Sequence, residues 1–403
     1  MNKNIQNTYV GKKIDNANVL NIEDAATQLS GKKVCIVTGV TGQDGSYMVD
    51  YLLENTDLYI VGGVRRLSVY NHINIKHIDS ERFILLNFDL TDPHSITRIV
   101  EKLKPEYFIN LAAQSFVASS WDFARQTWAA NSTSVLDILE AIRLYKPECR
   151  MYQAGSSEEF GNVSYVPQDE KHPLKPRSPY GASKAAARQL IKVYRESYGL
   201  YAVQGWLFNH ESERRGVEFV TRKITTNVAR IKKEIETGEK ITPVELGNID
   251  AKRDWSHAYD FVDGIWKMLN QEKYHLSDLA EYEGDASILA PENLPKYIKE
   301  YVLSSNETHT VREFVEKAFE AAGIKGHWSY LNLDNTDKRP ENEVFRKDTG
   351  EILVKINPKF YRPAEVDLLF GDSSLARKEI NWQPTMSFDD LVKKMVENDI
   401  QNV

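Results

Sequence analysis

The chain has 403 residues, of which 41% are hydrophobic and 27% are charged, as in an ordinary globular protein. Its 51 lysines and arginines are outnumbered by 58 aspartates and glutamates, and the net charge of −7 argues against nucleic acid as a partner. The only cysteines are Cys35 and Cys149, and neither lies in a CxxC motif, so we expect neither a disulfide framework nor a metal site.

The first thirty residues are polar and rich in asparagine, and they contain no apolar core of the kind found in a signal peptide. We therefore predict a polar N-terminal extension over residues 1–30. No apolar run in the chain reaches the roughly 18 residues of a membrane-spanning helix. Together with the cysteine usage, this predicts a cytoplasmic protein that does not associate with membranes.

From Lys32 onward, short apolar runs alternate with stretches of helical spacing. "KKVCIVTG" is rich in β-branched residues and ends in glycine, and "SYMVDYLLEN" follows with apolar residues at helical spacing. The alternation continues to Phe208 through about six predicted strands. Strand–helix–strand units at this rhythm predict an α/β fold, a Rossmann-type doubly wound parallel sheet.

The change from regular to irregular spacing of strands and helices divides the chain into two predicted lobes. Residues 31–208 form the predicted Rossmann domain, to which a later segment, about 250–270, is expected to return. Residues 209–403 have irregular spacing and predict a smaller, mixed α/β lobe over the carboxyl ends of the strands, where such sheets bind ligands. Within that lobe, 271–308 is rich in Glu, Asp, Asn and Tyr and predicts a surface insertion.

The stretch "TGVTGQDG" places three glycines at G-x-x-G-x-x-G spacing between the first strand and the first helix. A glycine triplet alone can be a flexible connector, but this position is typical of a dinucleotide-binding loop. There, glycine allows a tight turn and close approach of the backbone to a pyrophosphate. The residues expected to form this part of the cofactor site are Gly39, Thr41, Gly42, Gln43, Asp44 and Gly45.

The end of the second strand favours one cofactor over another. An acidic residue there would bind a free ribose hydroxyl, whereas "GGVRR" offers Arg65 and Arg66, whose guanidinium groups suit a 2′-phosphate. The pair therefore predicts NADP, the alternative being a solvated basic pair. Asp89 and Leu90 are expected near the adenine. The residues expected to line the nicotinamide side are Leu111, Ala113, Gln114 and Ser115.

In "SPYGASK", Tyr180 and Lys184 lie four residues apart near a predicted helix start, so both project from one face. A lysine close to a phenol is expected to lower the pKa of the phenol, which makes a tyrosinate base accessible near neutral pH. Such a pair is often incidental. Downstream of a dinucleotide loop, however, it indicates an extended short-chain dehydrogenase/reductase.

The chain closely resembles the GDP-mannose 4,6-dehydratase family. The segments that carry the resemblance, in the family's order, include "TGVTGQDGSY", "RSPYGASK", "LFNHES", "LGNIDAKRDW", "YRPAEVD" and "FDDLVKKMV". They extend over roughly residues 32–400, except for the predicted insertion. The resemblance implies an NADP-dependent hydro-lyase that forms a 4-keto-6-deoxy sugar.

The family's catalytic stretch is similar to Ser/Thr-x-Glu followed by one residue, an aromatic residue and glycine. When "SSEEFG" is aligned on its final glycine, Ser156 and Glu158 become catalytic residues with Tyr180 and Lys184. Glu159 then occupies a usually apolar position. Ser157 stands in the substrate site, where the dTDP-glucose relatives have a second carboxylate.

The resemblance also implies a mechanism. Tyr180 takes the proton of the sugar 4-hydroxyl while hydride passes from C4 to NADP, and Ser156 holds the 4-oxygen. Glu158 removes the acidified C5 proton and protonates the departing 6-hydroxyl, after which hydride returns to C6.

Further residues are carried over from the family. His210 and Arg215 are expected near NADP, and Arg65 to Ser68 would reach the cofactor of a neighbouring subunit in a homotetramer, a dimer of dimers. The residues expected to bind the GDP-sugar are Ser115, Ser157, Asn209, Lys223, Arg253, Arg362 and Glu365. Structural alternatives are ion pairs for the arginines and a satisfied core position for His210.

Several positions depart from the family. Gln126 replaces a tyrosine, Glu213 replaces a proline, and "SFVASSW" differs from the usual wall of the sugar pocket. A GDP-linked manno-heptose is therefore an alternative substrate. Alternative functions are a 4-epimerase or a C4 dehydrogenase, neither of which needs Glu158, and a non-catalytic NADP-binding regulator.

Overall fold

The computed structural model describes residues 19–66, 71–271, 298–332, 337–361 and 368–403. In the first half of the chain, strands and helices alternate. Their bounds are β1 (Val19–Leu20), α1 (Ile22–Gln28), β2 (Val34–Thr38), α2 (Gln43–Asn55), β3 (Tyr59–Val64), β4 (Phe83–Asn87), α3 (Pro93–Leu103), β5 (Tyr107–Asn110), α4 (Ala124–Trp128), α5 (Ser134–Tyr145), β6 (Arg150–Ala154), α6 (Pro179–Tyr198) and β7 (Ala202–Leu207).

The elements of the second half are shorter and less regular. Their bounds are β8 (Asn209–Glu211), α7 (Val220–Thr237), β9 (Val244–Leu246), β10 (Lys252–Arg253), β11 (Trp255–His257), α8 (Ala258–Leu269), β12 (Val302–Leu303), β13 (His309–Thr310), α9 (Val311–Ala321), β14 (Gly326–Tyr330), β15 (Glu343–Lys347), β16 (Ile352–Ile356), α10 (Ser374–Glu379) and α11 (Phe388–Gln401). Within the described ranges, no helix is both long and apolar enough to cross a bilayer.

The central sheet has eight strands in the order β1-β4-β3-β2-β5-β6-β7-β12. Every neighbouring pair is parallel, which confirms the predicted Rossmann-type α/β fold. Helices α2 and α8 cover one face, while α3, α5 and α6 pack on the other. The strand order reverses at β2, between β3 and β5, and a crevice at such a switch point is where these sheets bind ligands.

Two boundaries differ from those expected from the sequence. Residues 19–28, assigned to the polar extension, form β1 and α1, and Val19 pairs in parallel with Leu85 at the sheet edge. Residues 298–308, assigned to the insertion, contain β12, whose Val302 pairs with Trp206. Strands of two residues are too short to show periodicity, so the sequence could not reveal either. Residues 1–18 and 272–297 of the two segments lie outside the described ranges.

The second lobe has its own core. Helices α7, α9 and α11 pack together, and a four-stranded sheet, β14-β15-β16-β9, closes against α7 and α9. Trp255, Phe314 and Phe388 are buried among them. Two small strand pairs, β11 with β8 and β10 with β13, lie between this lobe and the main sheet. These pairs position Asn209 and Arg253, which were predicted to bind the substrate.

Candidate active site

A cavity of about 1190 Å³ opens at the carboxyl ends of β2, β3, β4 and β5, at the switch point of the sheet. Its lining contains most of the residues that the sequence predicted for the cofactor. These are Gly39, Thr41, Gly42, Gln43, Asp44, Gly45, Arg65, Asp89, Leu90, Leu111, Ala113, Gln114, Ser115 and Arg215. Residues drawn from four strand ends thus converge on one cleft of a size that suits a dinucleotide.

The glycine loop is shaped by contacts that exclude side chains. Gly39 has φ +71°, and a Cβ there would lie 2.8 Å from the backbone nitrogen of Ala112. A Cβ on Gly45 would lie 2.2 Å from the carbonyl oxygen of Gly39. Helix α2 then begins at Gln43 with no side-chain cap, so amides of its first turn remain for a phosphate.

Replacing Gly45 by alanine is expected to weaken cofactor binding roughly ten-fold or more, because an overpacked backbone contact must push the loop open. Isothermal titration with NADP measures the effect. The matched control is Gly323→Ala, at a glycine with φ +74° and no atom within 4 Å of the added Cβ. The control strains the backbone and lowers the melting temperature but leaves affinity unchanged. Equal cofactor affinity in both variants would contradict the close-packing assignment.

His210 lies directly behind the cavity wall, and its predicted place near NADP stays a prediction. It is buried and stacked on Phe261, with ring centroids 4.3 Å apart. Its Nδ1 donates to the carbonyl oxygen of Phe208 at 2.7 Å and its Nε2 to the carboxylate of Asp44 at 2.9 Å. A carbonyl oxygen and an ionised carboxylate only accept hydrogen bonds, so the two contacts favour the doubly protonated ring. His210 thus orients Asp44, which does line the cavity.

The electrostatics of this pair favour the charged state of both groups. Burial raises the pKa of Asp44, but the charge and hydrogen bond of His210 outweigh it and lower the pKa to about 2. Burial lowers the pKa of His210, and Asp44 outweighs that effect, so the pKa is raised. The first turn of α2 therefore carries a fixed carboxylate at the cleft.

Sequence reasoning missed a buried amide that holds the nicotinamide wall. Asn131 exchanges two hydrogen bonds with the backbone of Gln114, at 2.9 and 3.0 Å, and donates to Ser183 of α6 at 3.3 Å. Asn131 lies in a π-helical turn, Ala129–Thr133, and such turns occur often at functional sites. The signal was an asparagine followed by Ser, Thr and Ser inside a predicted helix, where these residues are unfavourable.

Helix α6 presents the tyrosine–lysine pair. Ser178 caps the helix by accepting from the amide of Gly181 at 3.0 Å, so Tyr180 lies in the first turn. Lys184 is buried, donates to the carbonyl oxygen of Ala154 at 2.8 Å, and lies 5.8 Å from the centroid of the Tyr180 ring. Neither side chain belongs to the cavity lining. The pair is therefore adjacent, as expected, but buried beyond the cleft.

The pKa of Tyr180 differs from the expectation. Burial, with smaller contributions from the charges of Glu158 and Glu159, raises it to about 12, against a hydrogen bond from Ser156. Burial likewise lowers the pKa of Lys184 to about 8, opposed by the charges of Glu159 and Asp44. Spacing in a sequence predicts proximity but not desolvation, and desolvation dominates here.

The two adjacent glutamates after β6, Glu158 and Glu159, differ in burial and in their partners. A 3₁₀ turn, Ser157–Glu159, follows Ser156, whose Oγ accepts from the amide of Glu158 at 3.2 Å. Glu159 is fully buried, and its carboxylate is engaged by Arg188. Glu158 is only half-buried, and its charge acts on Tyr180. Of the two carboxylates, Glu158 is the one able to reach a ligand beside the phenol.

Comparison with known proteins gives the family. The model described as "GDP-mannose 4,6 dehydratase" matches residues 36–284 and 294–395. A GDP-mannose 4,6 dehydratase of Drosophila melanogaster is 41% identical over 382 residues, covering 92% of this chain and 87% of that protein. The Homo sapiens protein is 40% identical, covering 92% of each chain, and the Sinorhizobium fredii protein is 39% identical, covering 92% and 98%.

The chain belongs to the GDP-mannose 4,6-dehydratase family. Solved structures under 25% identical share its fold. A UDP-glucose 4-epimerase of Thermotoga maritima aligns with a TM-score of 0.68 at 21% identity, covering 92% of this chain and 99% of that one. A dTDP-glucose 4,6-dehydratase of Bacillus anthracis, in complex with NAD, aligns at 0.67 and 18%, covering 92% and 97%.

Most of the predicted substrate residues of this family member lie within the described ranges. Asn209 has a buried Oδ1 without a hydrogen-bond partner, as fits a group that awaits a ligand. Lys223 donates to the carbonyl oxygen of Glu245 at 2.5 Å and lies over the ring of Phe360. Arg253 is buried and donates to the carbonyl oxygen of Lys252 at 2.8 Å.

The remaining predictions divide into three cases. Ser115 is exposed on the cavity wall, whereas Ser157 is the buried first residue of the 3₁₀ turn Ser157–Glu159. Arg66 is exposed and does not line the cavity, so only the first arginine of the pair faces the cleft. Predictions that lie outside the described residues are Ser68, Arg362 and Glu365.

Proposed function

We propose that this protein removes water from GDP-mannose to give the GDP-4-keto-6-deoxy sugar, with NADP as its cofactor. The observation that supports the proposal most directly is the grouping at the end of β6. There, Ser156 hydrogen-bonds Tyr180, and the half-buried Glu158 acts on the same phenol. A 4-epimerase or a C4 dehydrogenase would have no use for the carboxylate. The family's hydro-lyase chemistry needs it.

The residues that would hold the dinucleotide are those of the glycine loop, Arg65 and the wall around Gln114. Bound there, a nicotinamide would supply hydride transfer from C4 of the sugar and back to C6, and its oxidised form would add a positive charge that lowers the pKa of Tyr180. Asp44 and Arg215 add fixed charges of opposite sign at the same cleft.

The chain's own groups then carry the proton steps. Tyr180 accepts the proton of the 4-hydroxyl, and Ser156 donates a hydrogen bond to the 4-oxygen. A ketone at C4 acidifies the C5 proton because the carbanion is delocalised as an enolate. Glu158 removes that proton and delivers one to the 6-hydroxyl, so that water leaves. Because Ser157 is buried and uncharged, Glu158 performs both transfers alone.

NADP is favoured by the end of β3. Arg65 is exposed and lines the cavity, and no acidic residue stands between Val64 and the end of the described segment at residue 66. A guanidinium at this point suits a 2′-phosphate, whereas NAD is usually held here by a carboxylate on its ribose.

Arg65→Ala is expected to weaken NADP binding roughly ten-fold or more and to leave NAD binding almost unchanged, because a charge-assisted contact to the 2′-phosphate is lost. Titration calorimetry with both cofactors measures the ratio. Arg66→Ala is the matched control, since Arg66 is equally exposed but off the cavity lining, and we expect a smaller change. Equal weakening of NADP and NAD by Arg65→Ala would rule out the 2′-phosphate role.

A homotetramer in the cytoplasm is the proposed state of the protein. Helices α4, α5 and α6 expose large apolar side chains, namely Trp128 (46%), Leu144 (59%), Val193 (51%) and Tyr198 (54%). Large exposed apolar faces of this kind mark subunit interfaces. Both cysteines are buried free thiols, which suits a reducing compartment.

One assay separates the proposed function from its rivals. Purified protein is incubated with GDP-mannose, or with a GDP-linked manno-heptose, and the product mass is measured while NADPH is monitored. The proposal predicts loss of one water without net NADPH formation. Unchanged mass with inversion at C4 indicates an epimerase, stoichiometric NADPH indicates a dehydrogenase, and no conversion indicates a regulator. Preference for the heptose would place the altered wall around Phe116 in the specificity pocket.

A further inference from the structure

A buried network of charged side chains begins at Glu159, the last residue of the 3₁₀ turn that follows β6. Its Oε2 accepts from Nε of Arg188 at 2.6 Å, and its Oε1 accepts from Gln204 at 3.0 Å. Nη1 of Arg188 also pairs with Glu300, which pairs in turn with Arg195 at 3.1 Å. Glu159 is 0% exposed.

Such a network is an unusual occupant of this position. Burying a carboxylate and a guanidinium is costly, and an apolar pair of similar volume is often at least as stable. The family resemblance places an apolar residue at Glu159. Stability alone therefore does not explain the ion pair. Its other contacts indicate a second role.

The contacts join the two parts of the site. Oε1 of Glu159 accepts from the amide of Ser156 at 2.8 Å and so fixes the turn that carries Ser156 and Glu158. Arg188 lies on α6, one turn beyond Lys184, and its guanidinium stacks 3.6 Å from the ring centroid of Trp206. One carboxylate thus ties the turn after β6 to the helix that presents Tyr180.

The same carboxylate also acts through its charge. Around Tyr180 the structure places Ser156, Glu158, Glu159 and Arg215, with Lys184 over the ring. After burial, Glu159 is the largest influence on the pKa of Lys184, which it raises, and it raises the pKa of Tyr180 as well. Removing its negative charge lowers both pKa values.

We propose that Glu159 is a positioning residue, which with Arg188 locks the Ser156–Glu158 turn onto α6, the helix that presents Tyr180 and Lys184. The functional half of this inference rests on the proposed dehydratase reaction. The geometric half does not. The two halves are tested by different measurements.

The test variant is Glu159→Leu/Arg188→Met, which replaces the pair by apolar groups and leaves no unpaired charge at either position. Its matched control is Lys299→Met/Glu379→Leu, which removes another partly buried pair, with a 2.9 Å contact, away from the turn. Hydrogen exchange of the 155–161 peptide reports the Ser156 amide without any need for turnover. Separate values of kcat and KM with GDP-mannose report the effect on catalysis, and product mass from the wild type tests the proposed function separately.

We expect faster exchange of the 155–161 peptide in the test variant only. We also expect a kcat lower by roughly ten-fold or more with KM little changed, because the turn no longer holds Glu158 in its reactive position. Exchange equal to wild type would overturn the inference, whether or not the wild type is active. A normal kcat would overturn its functional half, because a merely structural pair changes only the melting temperature.

Discussion

Glu158→Gln is expected to abolish dehydration, lowering kcat by roughly 10²–10⁴-fold, because Glu158 is the proposed base for the C5 proton and neither neighbour in the turn can replace it. Glu159 is buried and occupied by Arg188, and Ser157 is uncharged. C4 oxidation does not depend on Glu158. The variant should therefore still form NADPH in a single-turnover mixture with GDP-mannose, and should then stall at the 4-keto stage.

Stopped-flow absorbance of NADPH and the mass of the product measure the two halves of the reaction. Glu158→Asp is the matched control, which keeps the charge but shortens its reach, and we expect partial activity. Wild-type turnover by Glu158→Gln would show that the wrong carboxylate had been assigned.

The second large effect is expected for Tyr180→Phe. Without the phenol no group accepts the proton of the 4-hydroxyl, so both NADPH formation and dehydration should fall roughly 10²–10⁴-fold. This pattern differs from that of Glu158→Gln, in which the first half survives. Binding of NADP should be little affected, because Tyr180 does not line the cavity.

Single-turnover kinetics of Tyr180→Phe give the rate of C4 oxidation directly. Tyr198→Phe, on the same helix but 54% exposed, is the control and should behave as the wild type. In the wild type, C4 oxidation should accelerate as pH rises toward the pKa of Tyr180, since the deprotonated phenol is the base. An unimpaired oxidation step in Tyr180→Phe would exclude the phenol as that base.

Local patterns predicted several residues that the structure brings together in one cavity. The glycine loop, the Tyr180–Lys184 spacing and the end of β3 each depend on residues close in sequence, and the structure brings the loop and Arg65 to one cleft. Alternation of strands and helices gave the parallel sheet. These features are determined by short-range geometry, which sequence patterns record.

What could not be predicted depends on distant partners. Which carboxylate of the acidic doublet is buried depends on Arg188, about thirty residues away, and on Gln204. Both donate hydrogen bonds to Glu159. His210 is held behind the cleft wall by Asp44, and the two-residue strands β1 and β12 exist only through pairing with remote strands. Burial, which sets the pKa of Tyr180, is likewise a property of the folded chain.

The central claim is that one substrate molecule is oxidised at C4, loses water and is reduced at C6 within the same site. GDP-mannose carrying deuterium at C4 tests it most directly, with mass spectrometry and NMR of the product. The account predicts a product lighter by one water with the deuterium at C6. Deuterium still at C4, or lost from the sugar to free NADPH, would contradict it.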